Sequence, residues 1–399
     1  MIAKTSKVLV VALLASLLLV LPVNLASAKK TIPGIDLTTF EGVKSAAMDI
    51  NNLGQVIGVW YEAPSASGLA PNHAFVWEDG TKTNLTPLDP EQMTSDAMSI
   101  NDNGQIAGFC RTPNPEYNPP DPAPRPPAYL PHAVMWTETN TIVPLEPALG
   151  VVASESRDIN TQGQIVGFTE IIMYIQVADP PAPQTTFLVP DNAFLWTEED
   201  GMVLLNIALG DDEVASVASG INDNGKIVGY TLKPNALGAP VPNRAFIYDI
   251  ETESTQVIVY GASITAATDV NNAGQVIGFW AESTGSEQNG FIWTAKTGLK
   301  QIPTLPSAPS GSGVVPLEIN AKGQVVGVCV KRGGVNDPPV FERGFLWDGK
   351  KTELPPLPGD EASTARGLND QGQVVGTSVT YVTLTVGYTA NLKAILWNA

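Results

Sequence analysis

Polar and apolar positions along this chain keep returning to one phrase: an apolar residue, Asn, two variable residues, Gly, Gln, then an apolar pair and a second Gly. Its clearest copy is Ile100-Asn101-Asp102-Asn103-Gly104-Gln105-Ile106-Ala107-Gly108. Near-copies begin at Asn51, Asn160, Asn222, Asn271, Asn320 and Asn369, so seven copies are spaced by 50, 59, 62, 49, 49 and 49 residues. Such self-similarity takes precedence over any single residue as evidence of architecture. The Asn side chain can bond its own backbone two residues on, and Gly supplies the positive φ that closes a tight turn. Apolar runs on both sides make the phrase a β-hairpin with a short loop. The run after Gln is apolar at consecutive positions, which predicts a strand covered on both faces.

A second phrase follows in every copy: His73 to Trp77 (HAFVW), His132 to Trp136, Asn192 to Trp196, Arg244 to Tyr248, Asn289 to Trp293, Arg343 to Trp347 and Lys393 to Trp397. Aromatic and branched residues make it a strand. A looser fourth strand is predicted at Thr83–Leu88, Thr141–Glu146, Met202–Leu209, Thr255–Tyr260, Leu299–Leu305 and Thr352–Leu357. Pro87, Pro144, Pro303 and Pro355 place it at an outer edge, where a missing N–H is tolerated. Small residues such as Ala47, Ala97, Ala218, Ala267 and Ala365 suit first strands that crowd at a centre.

Seven four-stranded sheets with both faces covered predict an all-β, seven-bladed β-propeller. A β-solenoid is the alternative, although its coils are usually much shorter. The last copy stops after its third strand, while Ile35–Phe40 matches the fourth-strand pattern of Asn84–Leu88. The N-terminal strand is therefore expected to complete the seventh blade and remove the open edges.

Composition adds location and exclusions. Lys4 and Lys7, an apolar run from Val8 to Val20 and Ala26-Ser27-Ala28 form the three parts of a secretory signal peptide, residues 1–28. Cleavage would leave a single propeller domain over 29–399, exported and secreted or periplasmic. No second apolar stretch reaches spanning length, so no stable membrane insertion is expected. The mature chain would carry twenty basic and forty acidic side chains, a net of −20. That charge argues against nucleic-acid and anionic-lipid partners. A monomer is expected. Cys110 and Cys329 occupy equivalent positions of separate repeats, too far apart for a disulfide, and are expected to be unpaired packing residues.

The HAFVW phrase at 73–77 with its INxxGQ(I/V)xG partner resembles the HAF repeats of bacterial extracellular proteins, from about residue 35 to the end. The resemblance implies export and a repeat fold. It brings no catalytic residue to carry over.

Candidate chemistry is sparse. With only His73 and His132, no Ser-His-Asp arrangement and no His/Cys metal site is well supplied. Those histidines share their place with Asn192, Arg244 and Lys393, which points to a hydrogen-bonding role at a strand start. The Asn-Asp-Asn-Gly turns carry one Asp each, too few for a calcium loop. No cofactor is expected. Asp49, Asp158, Asp269 and Glu318 precede the last apolar residue of the first strand, with Ser99, Gly220 and Gly367 in the remaining copies. If they face the axis they can gather water or a cation.

Unequal segments between second and third strands (Arg111–Pro131, Glu170–Asp191, Leu232–Asn243, Lys331–Glu342, Val379–Leu392) fall on one face, where binding concentrates. Trp60, Tyr61 and Glu62, Trp280 and Glu282, and Tyr117 in a proline-rich segment are the candidate ligand-binding residues. Paired aromatics beside carboxylates suit a sugar or peptide surface. These readings favour a non-catalytic binding or scaffold module for a glycan or protein. A glycan-active hydrolase or lyase using carboxylates of that face, and a purely structural envelope protein, are the alternatives.

Overall fold

Each Asn-x-x-Gly phrase folds as the turn its side chains dictate. In the second copy Asn101 Oδ1 accepts the N–H of Asn103 at 3.1 Å and of Gln105 at 3.0 Å. Gly104, at φ 74°, donates its N–H to Asn101 O at 3.0 Å. The same pair of Asn bonds recurs in the first copy, from Leu53 and Gln55 to Asn51.

The computed structural model describes residues 32–37, 44–62, 71–89, 94–117, 127–145, 151–176, 184–235, 238–258, 264–283, 285–334, 337–384 and 387–398. The expected signal peptide lies outside the described residues. The described strands form seven four-stranded antiparallel sheets arranged as a seven-bladed β-propeller. Blade 1 comprises Lys44–Ile50, Val56–Tyr61, Asn72–Glu78 and Thr81–Asn84, from the axis outward. The inner strands of blades 2 to 6 are Ser95–Ile100, Ala153–Ile159, Ala215–Ile221, Ile264–Val270 and Gly313–Ile319.

The ring closes as the repeat pattern requires. Blade 7 takes Ala362–Leu368, Gln373–Thr383 and Tyr388–Asn398 from the C-terminal end and Gly34–Asp36 as its outer strand. Gly34 pairs with Trp397 and Asp36 with Ile395. The strand is shorter than the Ile35–Phe40 expectation, and 38–40 lie outside the described residues.

Between blades, the aliphatic and aromatic residues of one sheet pack against the next. Ile57, Ala74 and Leu85 of blade 1 meet Ala97, Ile106, Val134 and Trp136 of blade 2 in one buried cluster. Phe75, Phe194, Phe246, Phe291 and Phe345, all from the HAFVW-type strands, are almost wholly buried. Burial of such a ring contributes about 2–3 kcal/mol. Cys110 and Cys329 are buried and unpaired, each within a separate cluster.

Two expectations need correction. The outer strands are shorter than predicted, and all but the second begin earlier: Thr81–Asn84, Ile142–Pro144, Gly201–Leu204, Ser254–Ile258, Gly298–Gln301 and Lys351–Leu354. Pro87, Pro303 and Pro355 lie past their ends, because a residue without an N–H terminates the ladder there. Much of what reads as loop is also strand. Ile165–Gln176 pairs with Gln184–Thr197, and Gln373–Thr383 with Tyr388–Asn398, as long ribbons. Their β-branched runs, Ile171-Ile172 and Val379-Thr380 among them, supply the propensity.

Candidate functional site

All seven pairings between first and second strands carry a β-bulge at the same place, after Ala47, Ala97, Ser156, Ala218, Ala267, Pro316 and Ala365. A bulge sets two residues against one and turns the strand locally. Consecutive side chains thereby reach the axis. The bulged residues (Met48, Met98, Arg157, Ser219, Thr268, Leu317, Arg366) line a cavity of about 200 Å³ together with the acids that follow them. A second cavity of about 200 Å³ lies on the turn side of those acids, walled by the Asn-x-x-Gly turns.

The turn side is a closed hydrogen-bond ring. Each first Asn donates its Nδ2 to the carbonyl of the equivalent Asn in the next blade: Asn51 to Asn101, Asn101 to Asn160, Asn160 to Asn222 and Asn222 to Asn271. Asn271 to Asn320, Asn320 to Asn369 and Asn369 back to Asn51 complete it. The seven distances run from 2.9 to 3.3 Å. In six copies the same Nδ2 also donates to the Gln four residues on, at 2.7–2.8 Å. The fourth copy has Lys226 there, paired instead with Asp249.

On the other side of the acids, a hydroxyl six residues before each Asn accepts an N–H from the preceding blade's third strand. Ser95 takes it from Ala74, Ser154 from Ala133, Ser216 from Ala193, Thr265 from Ala245, Ser363 from Gly344 and Ser45 from Ala394, all at 3.0–3.1 Å. Only the sixth copy has an apolar residue, Val314. That hydroxyl column is written in the sequence, at a fixed offset from the Asn, and was not read as functional.

The axial acids also join blades. Asp49 accepts the N–H of Ile50 at 2.6 Å and of Ile100, one blade on, at 2.9 Å. Asp158 does the same with Ile159 and Ile221, both at 2.8 Å, and receives the Ser99 hydroxyl at 2.8 Å. Asp269 takes Val270 at 2.6 Å and Ile319 at 2.9 Å. Space explains the missing acids: a Cβ on Gly367 would come within 2.7 Å of Asp49 Cα, and one on Gly220 within 3.0 Å of Asp269. Burial pushes the Asp49 carboxyl up to about 6 against the pull of its two N–H donors. Burial and the neighbouring carboxylates raise Asp158, Asp269 and Glu318 as well. Among the described residues, no three His, Cys, Asp or Glu side chains are grouped to hold a metal ion.

On the long-loop side the blades stop matching. The position three after the second repeat Gly is Tyr61, Arg111 and Glu170 in blades 1 to 3, and Leu232, Ala281, Val330 and Val379 in blades 4 to 7. Arg111 pairs with Asp96 at 2.8 Å and lies over the Phe109 ring. Arg157 pairs with Glu155 at 2.9 Å and lies over Phe168. Tyr61 feels the charges of Asp96, Arg366 and Arg111, and its burial raises its pKa. Glu170 is 8% exposed and its Oε2 has no hydrogen-bond partner. Burial first, then the charge of Glu155, raises it to about 7. These groups form an arc from blade 7 through blades 1, 2 and 3.

The sequence candidates divide. Trp60 stacks on His73, with centroids 4.2 Å apart and planes at 18°, under the Lys82 ammonium at 4.4 Å. Its Nε1 donates to Asn84 Oδ1 at 3.1 Å, and Glu62 meets His73 Nε2 at 3.0 Å. Trp60, Glu62 and His73 are thus one cluster, while Tyr61 belongs to the arc. Tyr117 closes a turn on Asn114 through its N–H at 3.0 Å. Trp280 is half-buried opposite Asn289, and Glu282 is exposed beyond the strand end. His132 is held below its usual pKa by burial. Sequence reasoning missed Asp96, Arg111, Glu155, Arg157, Glu170 and Arg366. Departure from the repeat at fixed offsets was the available signal.

Bulged inner strands, blade-to-blade polar columns and a ring closed between the two chain ends define a propeller whose blades differ mainly at one face. A family described as a protein of unknown function (DUF3466) matches residues 196–298. No curated protein matches the chain. Among solved structures, the uncomplexed acylaminoacyl peptidase of Pyrococcus horikoshii is similar at a TM-score of 0.54 and 13% identity, covering 91% of this chain and 52% of that one. Its orthorhombic crystal form gives 0.51 and 12%, over 90% and 52%. A streptogramin B lyase structure gives 0.49 and 9%, over 92% and 97%. At 12–13% identity the likeness to the peptidase is one of fold, and this chain spans about half the peptidase's length.

Proposed function

We propose that this propeller is an exported, non-catalytic binding or scaffold module that takes a glycan or protein ligand at its long-loop face. The observation that carries the reading is the arc of Tyr61, Asp96, Arg111, Glu155, Arg157, Glu170 and Arg366. Ring closure does not require these residues, since other blades hold aliphatic or small residues at several of the same offsets. Rigid strands hold them, as a preorganised site needs. The leader-like residues 1–28, the net negative charge and the resemblance to bacterial extracellular HAF repeats support export and a monomeric protein without nucleic-acid or membrane partners.

The hydrolase alternative has one specific support. Glu155 and Glu170 sit diagonally across a strand pair on the same sheet face, since Glu155 faces Phe168 and Ala153 faces Glu170. Such diagonal neighbours are roughly 7–8 Å apart, within the range used by inverting glycosidases. Burial raises both carboxyls, Glu155 against the pull of its Arg157 partner and Glu170 to about 7, so Glu170 is placed to carry a proton near neutrality. Purified protein is to be screened on a glycan array and against a panel of polysaccharides for released reducing ends. Binding without turnover is the expected result. Turnover abolished by Glu170→Gln would replace the binding reading with the enzyme.

A further inference from the structure

The bulged position places an arginine in blade 3 and another in blade 7, Arg157 and Arg366, on the wall of the long-loop-side cavity. Arg157 is half-satisfied: one nitrogen meets Glu155 at 2.9 Å and the guanidinium lies 4.9 Å from the Phe168 centroid. Arg366 is different. Its Nε is enclosed without a hydrogen-bond partner. Glu342, an acid whose charge acts on it, is engaged by the Thr364 hydroxyl at 2.7 Å and by the Tyr381 hydroxyl. It acts on Arg366 through its charge without an ion pair, as Tyr61 does. An enclosed guanidinium N–H without an acceptor is costly, and an anion is the expected remedy.

We propose that this cavity is an anion site in which Arg366, assisted by Arg157, receives a monoanionic carboxylate carried by the ligand of the long-loop face. The inference rests on that reading of the face. A planar guanidinium matches a carboxylate in bidentate fashion. About 200 Å³ holds such a group with a few waters, each needing roughly 30 Å³. Met48, Met98 and Leu317 offer apolar wall for the carbon that bears it. Ser219 and Thr268 donate their hydroxyl protons to the carbonyls of Ala267 at 2.7 Å and Pro316 at 3.1 Å, leaving the guanidinium groups as the donors. The floor of Asp49, Asp158, Asp269 and Glu318 disfavours a dianion such as phosphate. The rival role for Arg366 is to offset those acids at a distance, although it forms no ion pair with any of them among the described residues.

Sodium glucuronate, N-acetyl-dialanine with a free C-terminus, and inorganic phosphate are to be titrated into the mature chain by calorimetry in chloride buffer, beside Arg366→Met and Arg366→Lys. Saturable binding of glucuronate or the peptide, with phosphate weaker, is expected. The better of the two carboxylates identifies a sugar or a peptide source. Arg366→Met should weaken it at least about tenfold and Arg366→Lys less. If Arg366→Met does not fold, line broadening of ¹³C-acetate by the wild-type chain, reversed by excess glucuronate, carries the test. Absence of carboxylate binding to wild type, or unaltered binding in Arg366→Met, overturns the proposal. Array ligands that bind Arg366→Met normally would leave the face reading standing while the anion site falls.

Discussion

Asn101→Ala tests whether the repeated Asn holds the ring together or merely makes a turn. Asn101 is 5% exposed and makes four hydrogen bonds with its side chain. Two are donated, to Gln105 Oε1 at 2.8 Å and to Asn160 O in the next blade at 2.9 Å. Two are accepted, from Asn103 and Gln105. At about 1 kcal/mol each the substitution should cost roughly 3–5 kcal/mol, because its partners stay partly buried and unpaired. Asn222 has no Gln partner and keeps three such bonds, to Asn271 O and from Asn224 and Lys226. Asn222→Ala should therefore cost about 1 kcal/mol less.

Urea unfolding followed by tryptophan fluorescence measures both, with Asn101→Asp as the control that separates the halves of the bond set. Asp keeps the two accepted turn bonds but turns a carboxylate oxygen toward Asn160 O and Gln105 Oε1. If the interblade link matters, Asn101→Asp is as damaging as Ala. An Asn101→Asp variant as stable as wild type, or Asn222→Ala costing more than Asn101→Ala, would refute the ring as a source of stability.

Three further outcomes are expected. Gly108→Ala should cost more than about 3 kcal/mol, since its Cβ would lie 2.1 Å from Asp96 O and 2.7 Å from the Trp136 ring, whereas Gly80→Ala meets nothing and pays only for its positive φ of 83°, about 1 kcal/mol; thermal melts of the two check this. Deleting residues 32–37 should lower the melting temperature and shorten resistance to protease, because blade 7 would lose its outer strand and the buried Ile32 and Leu37; unchanged melting would contradict closure as a stabiliser. Stability should be greatest near pH 4 and fall as pH rises toward 7: Asp49, raised to about 6, contributes fully below its usual 3.8 and loses that contribution as pH rises through 6, by up to about 3 kcal/mol, while Glu213, for which Arg244 and its other hydrogen-bond donors outweigh burial and hold it at about 2, loses its contribution as pH falls below its usual 4.5. Melting temperatures from pH 4 to 9 test it, and a steady rise to pH 8 would contradict the assignment.

The seven blades and their closure are legible because a turn residue, a hydrophobic run and an aromatic strand recur together, and each has a local cause. The ring bonds are less legible, since Asn101 meets a carbonyl 59 residues away and only the folded circle brings them together. The hydroxyl column shows the same limit: Ser95 and its siblings stand at a fixed offset, but a lone Ser before an apolar strand has many ordinary roles. The bulges leave no mark of their own. No Gly or Pro is common to Met48, Met98, Arg157 and Arg366, so the alternation of a plain strand would put these residues and the acids after them on opposite sides.

That hidden bulge links architecture to the candidate site. A regular first strand would offer the axis one side chain from each adjacent pair, giving either the acids or the residues before them. The bulge presents both, so the channel acquires two layers of different purpose. The acid layer is constrained by space, as Gly367 beside Asp49 and Gly220 beside Asp269 demonstrate, and its carboxylates link one blade's N–H to the next. In the layer above, Ser219 and Thr268 link blades through the carbonyls of Ala267 and Pro316, while Met48, Met98 and Leu317 have no group that can. That layer tolerates Met, Ser, Thr, Leu and Arg in the same ring, and variation of this kind at a rigid, enclosed position is where recognition can be placed without loosening the fold. Changes confined to Arg157 and Arg366 should accordingly move ligand affinity with little effect on melting, whereas changes at Asp49 or Asn101 should do the reverse.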